Sequence, residues 1–180
     1  MMDLKKAILA DFSKAQCDAI VRYIGDKQDR FDELVRLFLN EEYRVVQRAA
    51  WPLSYCAIAH PELIKKHIRK MILNLRKPGL PEAVKRNTVR FLQKIEIPHS
   101  LHGETMNTCF RLLCDPQEAV AVKVFSMTVL SKLARLYPEI IPEIKMTLED
   151  QCPDQTAAFR NRAGKVIKEL RIDSIRSPGK

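Results

Sequence analysis

The sequence predicts an all-α fold, an α-α superhelix (solenoid) of about 9–10 helices stacked in antiparallel pairs. Three observations predict it. A pattern recurs at a spacing near forty residues. Residues 43–63 align without a gap on residues 120–140, so that Val45 falls on Val122, Ala49 on Ser126, Leu53 on Leu130, Ala57 on Ala134, and Pro61-Glu62 on Pro138-Glu139. A middle copy sets Val84, Thr88, Leu92 and Ile95 on the same positions. Apolar residues recur at helical spacing, and no alternating run is bounded by hairpin turns. The chain has ten prolines and only five glycines, and the prolines sit mostly between apolar runs.

The elements follow in order. Ser13-Lys14-Ala15-Gln16 fits a capping box, and Cys17, Ile20, Val21 and Ile24 carry the apolar face of the helix after it, which Gly25 ends. Phe31, Leu34, Val35, Phe38 and Leu39 form an amphipathic stripe whose start is acidic at Asp29, Asp32 and Glu33. A helix over 43–58 contains Pro52, which removes one helical hydrogen bond and should bend the helix near Arg48. Pro61 opens a helix over 61–76, and Lys77-Pro78-Gly79-Leu80-Pro81 is a loop. Helices are then expected over 83–95, 101–113, 119–136, 138–149 and 157–170.

A chain of 180 residues fits one domain, placed at 1–172, with 1–27 as N-terminal capping helices and 173–180 as a loose tail. Hydrophobic residues make up 46%, which argues against bulk disorder. Five cysteines form no framework and read as reduced thiols. Residues 1–12 carry charges at Asp3, Lys5, Lys6 and Asp11 and lack the apolar core of a leader. No uncharged apolar run approaches a membrane span. The expectation is a cytoplasmic protein that does not enter a membrane. Cys56 and His60 could share a helical face, but two more zinc ligands cannot be assembled near them, so no metal and no cofactor is expected. No glycine-rich phosphate loop is present. Asp115 and Glu118 read as turn and cap acids, so no catalytic residue is assigned.

The recurring Val with small or aliphatic residues four and eight positions on, together with Asp115-Pro116 before the helix at Val120, resembles the HEAT repeat over about residues 28–170. The chain departs from that pattern at Pro52 and in a fourth copy that keeps only Phe159, Ala163 and Ile167. It is similar to short bacterial HEAT-like proteins. It contains nothing like the Ser-Ser-x-Met-Pro-x-Lys-x-Asn loop of adenylosuccinate lyases. The resemblance implies a right-handed superhelix with an outer and an inner layer of helices.

The formal charge is +9 and the pI is near 9.4. Sorted by that implied layering, the inner helices (43–58, 83–95, 119–136, 157–170) hold thirteen basic residues and one acid, a net +12. The outer helices sum to +1 and the remainder to −4. Helical periodicity sets Arg44, Arg48, Trp51 and Tyr55 opposite the apolar face of the first inner helix, and Arg86 and Arg90 likewise in the second. Repeat alignment lays Arg90 over Trp51 and Lys94 over Tyr55, adds Lys132 in the third copy, and leaves Lys165 and Lys168 on the polar face of the fourth. The expectation is a non-enzymatic binding or scaffold module whose basic concave face holds an anionic partner, foremost an acidic protein segment. Nucleic acid is the alternative, including a repair activity like that of the HEAT-like DNA glycosylases. Against that alternative, the inner helices carry no carboxylate apart from Glu169.

Overall fold

The computed structural model describes residues 2–176, with side chains through Leu170. Among the described residues every regular element is a helix, and the chain divides into two compact units, Met1–Pro98 and His99–Lys180.

In the first unit, α1 (Leu4–Ala10) and α2 (Lys14–Ile24) form an N-terminal hairpin. Each begins on a side-chain cap. The Asp3 carboxylate accepts from the Lys6 amide at 3.0 Å, and Ser13 Oγ accepts from the Gln16 amide at 3.2 Å. The expected capping box is only half formed. Gln16 Nε2 donates to the Ala7 carbonyl at 2.7 Å and ties α2 to α1 instead of closing on its own cap. Gly25 ends α2 at φ 51°, a left-handed conformation that costs glycine little, with its amide on the Val21 carbonyl at 2.9 Å.

Next come α3 (Gln28–Asn40) and α4 (Tyr43–Ala59). Phe31, Leu34, Val35, Leu37 and Phe38 of α3 are buried. The central helix of the unit is α4, in contact with α1, α2 and α3 and with the two segments that follow it, α5 (Pro61–Ile64) and α7 (Glu82–Leu92). It is one continuous helix through the buried Pro52. A buried polar pair locks it to α7: Ser54 Oγ donates to Asn87 Oδ1 at 3.0 Å, and Asn87 Nδ2 donates to the Ala83 carbonyl at 2.8 Å.

The helix expected over 61–76 is not uniform. After α5 the chain tightens into a 3₁₀ turn, Lys65–His67, before α6 (Ile68–Asn74). The turn brings two adjacent side chains onto one carboxylate. Lys66 Nζ and His67 Nε2 each lie 2.6 Å from Asp32 of α3, and Gln28 Nε2 adds a third bond at 2.8 Å. Burial works against ionisation of Asp32, but these hydrogen bonds outweigh it and hold the pKa down at about 2.

The second unit consists of α8 (His102–Cys114), α9 (Val120–Ala134), α10 (Ile141–Gln151) and α11 (Ala157–Arg176), with α9 touching all three others. The last helix runs past residue 173, where a loose tail was expected; residues 177–180 of that tail lie outside the described residues. With α5 and α6 counted as one interrupted arm, the described residues form ten helical arms, in keeping with the 9–10 helices that the sequence predicts.

The repeat alignment holds at the level of single residues. Val45, Ala49, Leu53 and Ala57 and their counterparts Val122, Ser126, Leu130 and Ala134 are all buried. His60 and Tyr137, each before a Pro-Glu pair, share a backbone conformation, with φ −131°, ψ 74° and φ −131°, ψ 72°. The fourth copy differs from expectation in one position. Val166 and Leu170 complete the stripe of Phe159 and Ala163, while Ile167 is only half-buried.

Candidate functional site

The polar side of α4 does not face open solvent along its length, because α1 and α2 pack against it. Arg48 Nη1 donates to the Leu9 carbonyl at 2.9 Å, an unsatisfied carbonyl in the last turn of α1, and its guanidinium lies 5.6 Å from the Phe12 ring. Phe12 meets Trp51 edge-to-face, with centroids 5.6 Å apart. Trp51 is half-buried, and with Ile8, Gln16 and Cys17 it lines the seam between the hairpin and α4. The polar face expected around Trp51 is therefore closed on one side by the N-terminal hairpin. Arg48 acts as a strut for that hairpin.

One turn further on, α2, α4 and α7 converge on Tyr55. The Arg90 guanidinium sits over its ring at 4.5 Å and Lys14 Nζ at 5.1 Å. The Trp51 ring lies 6.5 Å away. Hydrogen bonding to Arg90 foremost, and then to Trp51, holds the Tyr55 phenol below its ordinary range. Lys14 is paired with Asp18 on its own helix, whereas Arg90 has no carboxylate partner among the described residues. Arg86, one turn back, is exposed with a long contact to Glu82 at 3.8 Å, and Lys94 is exposed one turn on. Of the sequence-predicted residues, the structure thus gathers Tyr55 and Arg90, flanks them with Trp51, Arg86 and Lys94, and leaves Arg44 exposed at the far end of α4. Lys14 was missed. The hairpin lies outside the aligned repeats, so register could not place it.

The second unit is described by itself. Lys165 and Lys168 are exposed on α11, and Lys132 is half-buried on α9. Two other inner-helix cations, Lys123 and Arg162, do not contribute to an open face, whereas Arg160 is exposed. Lys123 is 2% exposed. Arg162 bonds Thr128 Oγ1 at 3.0 Å and Glu169 at 3.3 Å, and Arg160 caps the Gln155 carbonyl at 2.6 Å. A net +12 on the inner helices is therefore an overcount of surface charge. The same network accounts for Glu169, the lone inner acid, as an internal partner of Arg162 and Ser131.

Burial pushes Cys17 up to about 11 and Cys56 up to about 12. Among the described residues no group of His, Cys, Asp and Glu is placed to hold a metal, and no helix is long and apolar enough to cross a membrane.

Comparison with known proteins adds one positive result. A model of the HEAT repeat domain matches residues 4–170, so the match extends over α1 and α2, further than the span from 28 that the repeats alone indicated. No curated protein and no solved structure matches the chain.

Proposed function

The chain belongs to the HEAT repeat family, and from that premise we propose that it is a non-enzymatic binding module that holds an acidic protein segment at the Lys14–Tyr55–Arg90 cluster. Family membership supports an interaction scaffold. The observation that carries the finer reading is the state of the aromatics. Trp51 and Phe12 meet edge-to-face with Trp51 half-buried, and both cations of the cluster already sit over the Tyr55 ring. The Tyr55 ring is therefore not left as an open platform for a nucleobase, which weighs against the nucleic-acid alternative at this position. A carboxylate needs no platform. It needs a planar donor fork, and Arg90 offers one that is half-buried, oriented by Tyr55 and, among the described residues, unmatched by any acid. Arg86 and Lys94 extend the same cationic line by one turn in each direction.

Trp51 is the only tryptophan of the chain and lies 6.5 Å from Tyr55, so its fluorescence reports on the cluster. Titration with a poly-glutamate peptide is expected to change that fluorescence saturably. Arg90→Glu is expected to weaken binding about tenfold or more, near 1.4 kcal/mol. If Trp51 does not respond at low salt, or if Arg90→Glu binds as tightly as the wild type, the proposal is wrong.

A further inference from the structure

The basic charge of the first unit is concentrated. Residues 1–60 carry nine basic and nine acidic residues, a net of zero, while residues 61–98 carry ten basic residues and three acids, a net +7. Most of that excess lies outside α7. The arm formed by α5, its 3₁₀ turn and α6, with the residues up to 77, holds Lys65, Lys66, Arg69, Lys70, Arg76 and Lys77 against a single acid, Glu62. All six cations are exposed, and they alternate with Leu63, Ile64, Ile68, Met71, Ile72 and Leu75, which are buried. Lys66 is held by Asp32, and Glu62 is 3.5 Å from His60. Leu73 is the one apolar residue on the exposed side, at 40%.

We infer that this exposed face is a second binding surface, separate from the tyrosine cluster, and that it takes the phosphate backbone of a nucleic acid duplex without reading its sequence. From residue 65 to 77 the arm spans about 18 Å at ~1.5 Å per residue. That length of duplex axis presents about ten phosphates, at one charge per ~1.7 Å. Cations one turn apart, as at Lys65 and Arg69 or Lys66 and Lys70, repeat at about 6 Å. Such a row of exposed cations with no Phe, Tyr or Trp among them suits a partner whose charges repeat regularly and require no side-chain recognition. A lipid surface would take the apolar face of a helix, but on this arm that face belongs to the unit's own core and only Leu73 remains. A peptide would be selected by pockets for its side chains, and a row of exposed lysines and arginines provides none.

The test is fluorescence anisotropy of a labelled mixed-sequence DNA duplex against the full chain, at several salt concentrations. Two charge-matched quadruple variants are compared, and circular dichroism confirms that each is folded. Replacing Lys65, Arg69, Lys70 and Lys77 with Glu is expected to reduce affinity at least a hundredfold. The slope of log affinity against log salt should become shallower by about 3 to 4. The same four replaced with Gln should give a smaller loss. Replacing Arg86, Lys94, Lys165 and Lys168 with Glu changes the net charge equally and is expected to cost less than tenfold. The proposal is overturned if the duplex does not bind at low salt, or if both Glu variants lose affinity alike, so that only net charge matters. It is also overturned if the arm variant loses binding to poly-glutamate or phosphatidylserine vesicles while duplex binding is unaffected. Failure of this surface leaves the Trp51 response to poly-glutamate untouched, so the two proposals are judged separately.

Discussion

Single residues carry several of the structural arguments. Arg48 lies on the polar side of its helix by periodicity, yet it bonds the Leu9 carbonyl and stacks near Phe12. Arg48→Ala is expected to destabilise the chain by about 1.5–3 kcal/mol, measured by urea denaturation, because it strands an α1 carbonyl. Ser126 stands where the other copy has Ala49, and its buried hydroxyl meets only the Cys109 thiol, a weak hydrogen-bonding group that leaves it poorly satisfied. Ser126→Ala should therefore be neutral or stabilising by up to about 1 kcal/mol in the same assay. Asp32 supplies the pH dependence. Its folded-state pKa of about 2 lies below the unfolded value of about 3.9, so its stabilisation is complete above the unfolded value and is lost as pH falls through about 2. Its side chain is 35% exposed, so solvent screening limits the effect. Asp32→Asn is expected to cost about 1 kcal/mol at neutral pH. The difference from wild type should shrink below about pH 4 and vanish below about pH 2. None of these three roles was legible in the sequence. The first and third depend on partners 34 to 39 residues away, and that of Ser126 on a poorly satisfied hydroxyl.

Elements were far more legible, for a physical reason. A helix that must bury one stripe against its neighbours writes that stripe at a fixed period, and a repeat writes it several times in register. Val45, Ala49, Leu53 and Ala57 were placed in the core by alignment alone, and all are buried. Leu53→Ala, at the centre of α4, is expected to lower stability by about 2–5 kcal/mol, read as a shift of the urea midpoint with little change in slope. What the repeat could not show is where the pattern yields to local tertiary contacts. The 3₁₀ turn at Lys65–His67 and the half-closed cap at Gln16 both form because a side chain finds a partner on another helix. Summing charge by layer also hid one element. The α5–α6 arm is strongly basic, but its excess was cancelled by acidic residues in the other outer helices.

At the scale of the whole molecule, the chain belongs to the HEAT repeat family and is all-α among the described residues, which suggests an interaction scaffold. The candidate site was half legible. Periodicity found Tyr55 and Arg90, but it could not see that the N-terminal hairpin covers Arg48 and Trp51 and brings Lys14 to the tyrosine. That covering converts a long basic stripe into a compact cation–tyrosine cluster. The central claim is that this cluster recognises carboxylates. It is tested most directly by the Trp51 fluorescence titration with poly-glutamate, performed on the wild type and on Arg90→Glu. A saturable change that weakens with salt and is lost or at least tenfold weaker in the variant is the predicted result. An unresponsive Trp51, or equal affinity in the two proteins, would contradict it.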